Sequence, residues 1–166
     1  MKKIILSFVI VLFVIIAQSC DGMISTEKEQ KAIAEKILEC LDEENTDELK
    51  SLFCEKILTE KEDLDRQIER AMVFFEGKTE SYDTNRSISD SDGRYYEGGK
   101  IVEISTSGSI RDVITDQDKY YRIKFYNYLV LDEDPTREGL SEITIYSEEG
   151  YSRVIGDFYL VNPEYK

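Results

Sequence analysis

Residues 119–132 read KYYRIKFYNYLVLD, from Lys119 to Asp132. Tyr121, Ile123, Phe125, Leu129 and Leu131 fall on one side of a period of two, and Tyr120, Arg122, Lys124, Tyr126 and Tyr128 on the other. Successive side chains of a strand point to opposite faces. The run therefore predicts one long strand with a buried apolar face and an opposite face of tyrosines and two cations. Two cations among tyrosines, on an otherwise acidic chain, make that second face a candidate recognition surface for an anionic or planar partner. Tyrosine is also a good strand former, so a plain solvated face accounts for the same residues.

Around this strand the chain divides at Gly77. After it, β-branched and aromatic residues predict strands at 78–86, 99–107, 109–115, 140–147 and 153–161, besides the long one. Asp92-Gly93, Gly98-Gly99, Asp116-Gln117-Asp118, Asp134-Pro135 and Glu149-Gly150 are the turn signals between them. Short connections favour an antiparallel meander. Before Gly77 the apolar period is helical. Three starts are marked by Thr26 with Glu29, Asn45 with Glu48, and Thr59 with Glu62, with Gly77 as the closing cap. Helices first and sheet second predict an α+β fold, with three N-terminal helices packed on one face of a mainly antiparallel sheet of five to six strands.

The first residues have a different logic. Met1-Lys2-Lys3 is basic, and Ile4 to Ala17 has Ser7 as its one polar residue. This is the form of a secretory signal, and it falls short of the roughly 20 apolar residues that span a bilayer. Ala17-Gln18-Ser19-Cys20 resembles the lipobox of bacterial lipoprotein precursors, with Ala17 where that family prefers Leu. The resemblance implies cleavage before Cys20 and a diacylglyceryl group on its thiol. The expected organisation is a signal peptide at 1–19, a lipidated tether at 20–25 and a single domain at 26–166. The covalent lipid on Cys20 is the expected membrane anchor, at the outer face of the cell membrane, and no other cofactor is implied. Six tether residues reach about 20 Å at most, which keeps the domain near the bilayer.

Composition narrows the chemistry. The chain has 35 acidic and 21 basic residues and no histidine, for a net charge of −14. Losing residues 1–19 removes Lys2 and Lys3 and no acid, which takes the charge to −16. Such a surface repels phosphate backbones, so no nucleic-acid partner is expected. The lack of histidine removes Ser-His and Cys-His nucleophile activation and His-based zinc sites. Cys40 and Cys54 fall on neighbouring predicted helices, and a disulfide between them or two separate core thiols both remain open. Asp90-Ser91-Asp92-Gly93 and Asp132-Glu133-Asp134 set oxygen ligands in turns, but neither follows the twelve-residue calcium-loop pattern, and Asp favours turns without metal.

ILECLDEENTDELKSLF, EDLDRQIERAMVFFEG, SYDTNRSISDSDG, KYYRIKFYNY and EGLSEITIY, within about residues 27–148, resemble an uncharacterised family of small lipoproteins from Gram-positive bacteria, a domain of unknown function. That family looks related to the cystatin-like or nuclear-transport-factor-2-like fold, whose helices pack on a strongly curved antiparallel sheet to form a cone with a pocket. The superfold hosts isomerases, dehydratases and plain binding modules, so it selects no activity by itself. The expected function is a membrane-anchored, non-catalytic module that binds a small ligand or a protein. The alternatives are a cone-fold enzyme using an Asp/Tyr pocket and an immunity- or inhibitor-like protein masking a basic partner. Ligand capture predicts an apolar pocket between the third helix and the sheet. A protein partner predicts a flat exposed patch, and an enzyme predicts a buried carboxyl with a raised pKa.

Overall fold

A computed structural model describes residues 25–84, 86 and 88–165. The predicted signal peptide, Cys20 and the tether up to residue 24 lie outside the described residues. Among the described residues no helix is long and apolar enough to cross a membrane.

Ala34, Ile37, Leu38 and Leu41 recur at helical spacing and turn one side of α1 (Thr26–Asp42) into the core. Ser25, rather than Thr26, occupies its N-cap position. Asn45 caps α2 (Thr46–Ser51) as its sequence predicts: its side chain accepts from the Glu48 amide at 3.2 Å, and its Nδ2 donates to the Glu48 carboxylate at 2.9 Å. The helix predicted from Asn45 ends at Ser51. The chain straightens at Phe53 and Cys54, where Cys54 N donates to Leu140 O at 2.9 Å and Leu140 N donates to Leu52 O at 3.0 Å. Those bonds stitch the helical layer to the sheet, and the backbone must leave the helix to make them. A separate α3 (Glu55–Glu60) follows, with Thr59 inside it, and α4 (Leu64–Phe74) starts after Asp63. Among the described residues, the expectation of three N-terminal helices is thus corrected to four, and a fifth short helix lies near the C-terminus.

The sheet has six antiparallel strands: β1 (Thr79–Ser81), β2 (Ser89–Glu97), β3 (Lys100–Thr115), β4 (Tyr120–Leu131), β5 (Gly139–Ser147) and β6 (Ser152–Gly156). Their order is β1-β3-β4-β5-β6, and β2 also pairs with β3. β3 carries two partners on one edge, with Ile114 and Thr115 against β1 and the stretch from Lys100 to Gly108 against β2. It joins two strands that the sequence predicts as separate. Asp92-Gly93 lies inside β2 rather than in a turn, whereas Gly98 and Gly99 do make the β2–β3 turn, both at positive φ.

β4 has the predicted alternation. Tyr121, Ile123, Phe125 and Leu131 are buried, Leu129 is half-buried, and Tyr120, Arg122 and Tyr126 are exposed. Tyr121, Ile123 and Phe125 of that set join residues of α1–α4, β5 and β6 in one core. The last predicted strand stops at Gly156, whose φ of +86° turns the chain. Asp157 then caps α5 (Phe158–Val161), accepting from the Leu160 amide at 3.0 Å. The result is a mixed α+β domain with a curved, open antiparallel sheet.

Candidate functional site

The face of β4 turned away from the buried set is set out by the strand register. Ser105, Ser107 and Ser109 of β3 stand opposite Tyr128, Tyr126 and Lys124, and Gly93 and Ser91 of β2 stand opposite Ser105 and Ser107. Small residues on two neighbouring strands leave a depression beside the β4 tyrosines. Even a methyl group on Gly93 would come within 2.9 Å of Ser105 Oγ. The Ser91 and Ser107 hydroxyls share a hydrogen bond of 2.8 Å.

The C-terminal segment supplies the other wall. Gly156 and the Asp157 cap bring α5 across the sheet, so that the Phe158 ring meets Tyr126 with centroids 5.0 Å apart and Tyr165 at 5.9 Å. Tyr128 Oη donates to Asn162 Oδ1 at 2.6 Å, and the Arg137 guanidinium lies 5.1 Å over the Tyr128 ring. Burial pushes the Tyr128 hydroxyl up, against the opposing pull of Arg137. Arg137 also donates to Asn162 Oδ1 at 3.1 Å and so ties the wall to the β4–β5 connection. The groove measures about 370 Å³, with four aromatic rings, Tyr126, Tyr128, Phe158 and Tyr165, above a floor of serines and glycine.

Beneath it lies a buried polar triad. Gln30 Nε2 donates to Asn127 Oδ1 at 2.9 Å and to Thr106 Oγ1, and Thr106 Oγ1 donates to Asn127 Oδ1 at 2.7 Å. Asn127 and Thr106 also border the groove. Gln30 Oε1 and Asn127 Nδ2 are buried without a partner among the described residues. Nothing in the local sequence marks these three, because they join only through the fold.

The predicted partner face is therefore divided. Tyr126 and Tyr128 belong to the aromatic groove, while Tyr120, Arg122 and Lys124 border a separate hollow at the other end of β4. Phe158 falls within the strand predicted at 153–161, and Asn162 and Tyr165 lie beyond it with no element predicted; the Gly156-Asp157 pair is the signal that marks the break. The space between α4 and the sheet, where a ligand pocket was expected, is filled by Leu64, Ile68, Ala71 and Ile155 of the core. Cys40 and Cys54 are both free and buried, in place of a bridge.

The aspartates of the two predicted acidic turns, the first of which lies inside β2, are committed elsewhere. Asp90 pairs with Arg111, Asp92 with Arg94, Asp132 with Lys100 at 2.5 Å, and Asp134 accepts from the Thr136 hydroxyl. Among the described residues no cluster of three or more His, Cys, Asp or Glu is disposed to hold a metal ion. The carboxyl groups of Asp63, Asp134, Glu149 and Asp157 are all held low.

A search of the curated proteins finds no match to the chain. The model of a domain of unknown function, DUF5104, matches residues 36–148, which spans α1 from Lys36 through β5 and stops before β6 and the C-terminal wall of the groove. More than half of the chain is covered, and the chain belongs to the DUF5104 family.

Proposed function

We propose that this protein is a lipid-anchored, extracytoplasmic, non-catalytic binding module that captures a compact ligand in the Tyr126–Tyr128 groove. The observation that carries the reading is the groove's make-up: aromatic walls over hydroxyl-bearing small residues. Aromatic faces supply apolar contact at defined angles, and a few converging hydroxyls and amides orient the ligand. That combination suits a molecule with a flat apolar face and several hydroxyl groups, such as a sugar ring. The signal-like N-terminus and the Cys20 lipobox support anchoring at the outer face of the membrane, as in small lipoproteins of Gram-positive bacteria. The curved open sheet with helices against it is consistent with a cystatin-like or nuclear-transport-factor-2-like cone.

A thermal-shift screen of residues 21–166 against glycans, metabolites and metals tests the reading. A ligand at about 100 times its Kd stabilises the fold by about 2.7 kcal/mol, which such a screen detects. The expected hit loses its effect in Tyr126→Ala and in Tyr165→Ala. A hit indifferent to both substitutions moves the site elsewhere. Turnover of any substrate, abolished by changing one Asp or Tyr, overturns the non-catalytic reading.

A further inference from the structure

The hollow at the Tyr120 end of β4 measures about 680 Å³ and is framed by Arg86, Arg111, Arg122, Lys124, Tyr120 and Tyr146. On a chain with 35 acidic and 21 basic residues, four cations gather around one concavity. Two of them are already matched: Arg86 Nε lies 3.3 Å from Asp83 and Arg111 pairs with Asp90. Arg122 and Lys124 form no ion pair among the described residues.

Arg122 is nonetheless fixed in place. Its Nε donates to Ser109 Oγ at 3.0 Å, and Ser109 is buried. That bond uses the inner nitrogen and leaves the two terminal nitrogens, the fork that matches paired oxygens of a carboxylate or phosphate. Lys124 is the next residue on the same face of β4, about 7 Å along the strand, and adds a compact second charge. The frame is also tied down on its far side. β3 bulges between Ile110 and Val113, with Asp112 at a φ of +51°, and Asp83 N donates to Arg111 O at 2.9 Å. Asp83, which pairs with Arg86, is thereby anchored to the bulge. Two exposed carboxylates, Asp112 and Glu148, also line the hollow. They bring the charge of the lining close to balance, so the grip rests on the Arg122 fork rather than on a net field.

We propose that this hollow is a binding site for a single oxyanion group, phosphate or carboxylate, gripped by the Arg122 fork with Lys124 as the second charge. It shares no lining residue with the aromatic groove, and it stands whether or not the groove binds a ligand. The test titrates the full-length chain in a non-ionic detergent with inorganic phosphate and, in a second arm, with acetate, by isothermal calorimetry and phosphorus NMR line width. Losing a hydrogen-bonded charge costs about tenfold in affinity, so Arg122→Gln and Lys124→Gln are each expected to weaken binding by about that factor. Arg122→Lys, which keeps charge but loses the fork, is expected to fall between. Lys31→Gln, which removes one charge on α1, and Tyr126→Ala, in the groove, are expected to leave binding unchanged. Stronger binding in one arm assigns the anion as phosphate or carboxylate. Absence of binding in both arms at about 10 mM anion, where even millimolar affinity is visible, overturns the proposal. So does equal weakening by Lys31→Gln, which means diffuse charge rather than a site.

Discussion

Tyr121 shows how much one side chain can hold. Its ring packs against Phe75 with centroids 4.8 Å apart, and its hydroxyl donates to Phe74 O and accepts from Glu76 N, both at 2.9 Å. It thereby satisfies two backbone groups at the end of α4, where the chain turns through Gly77 into the sheet. Tyr121→Phe keeps the packing and leaves a carbonyl and an amide unpartnered. The expected loss is about 1–3 kcal/mol in chemical denaturation, with the slope unchanged. Cys40 gives a second prediction at this scale. Burial pushes its thiol up to about 11, whereas an unfolded cysteine ionises near about 8.5. Between those values the unfolded state has released the proton and the folded state has kept it, so stability falls as pH rises through that window. Iodoacetamide at pH 8 is expected to label neither Cys40 nor Cys54 in the folded protein and both in denaturant, followed by mass spectrometry. Rapid labelling without denaturant would place the thiols outside the core.

Among the elements, α5 is the shortest α-helix of the described residues and positions much of the groove wall. It has four residues, below the length at which a helix holds itself, so its cap and its packing decide its order. Asp157 accepts from the Leu160 amide at 3.0 Å and lies 3.2 Å from Lys61 Nζ. Burial raises its pKa, but the amide bonds and Lys61 outweigh burial and hold it below the usual carboxylate range. A lowered folded-state pKa contributes stability that is complete above the unfolded value, about 3.9, and is lost as pH falls through the folded one. Asp157→Ala is expected to cost about 1 kcal/mol and to weaken acid dependence below about pH 4, read from pH-stepped thermal melts. The element scale is also where legibility in the sequence varied most. β4 was plain because its two faces differ in chemistry at every step. β2 was not, since SDSDGRYYE offers no apolar face; it is a strand because β3 is long enough to pair with it. The break at Cys54 was hidden for a similar reason, as its partner, Leu140, is far away in the chain. Half of the candidate site followed from β4 alone, and the half built by Phe158, Asn162 and Tyr165 depended on a turn that only the tertiary path makes necessary.

At the scale of the whole molecule, charge and the proposed anchoring pull in opposite directions. Without residues 1–19 the chain carries a net charge of −16, which gains nothing from anionic lipid headgroups. If the surface alone decided, the domain would leave the membrane. The proposed pair of acyl chains would reverse this, since each buried methylene contributes about 0.8 kcal/mol and a pair of chains anchors stably where one does not. The two contributions respond differently to salt, because screening weakens charge attraction and leaves acyl burial intact. A wash with 1 M salt, where the screening length is about 3 Å, is expected to leave the wild-type chain on the membrane. Cys20→Ala is expected to abolish metabolic labelling by a fatty acid and to leave uncleaved or mislocalised protein, seen as a shift in gel mobility. Normal cleavage with full membrane retention in that variant would remove the lipid from the account, and release of the wild type by salt would assign retention to charge. Either result would leave the groove and the hollow with their chemistry intact and without a fixed distance from the bilayer.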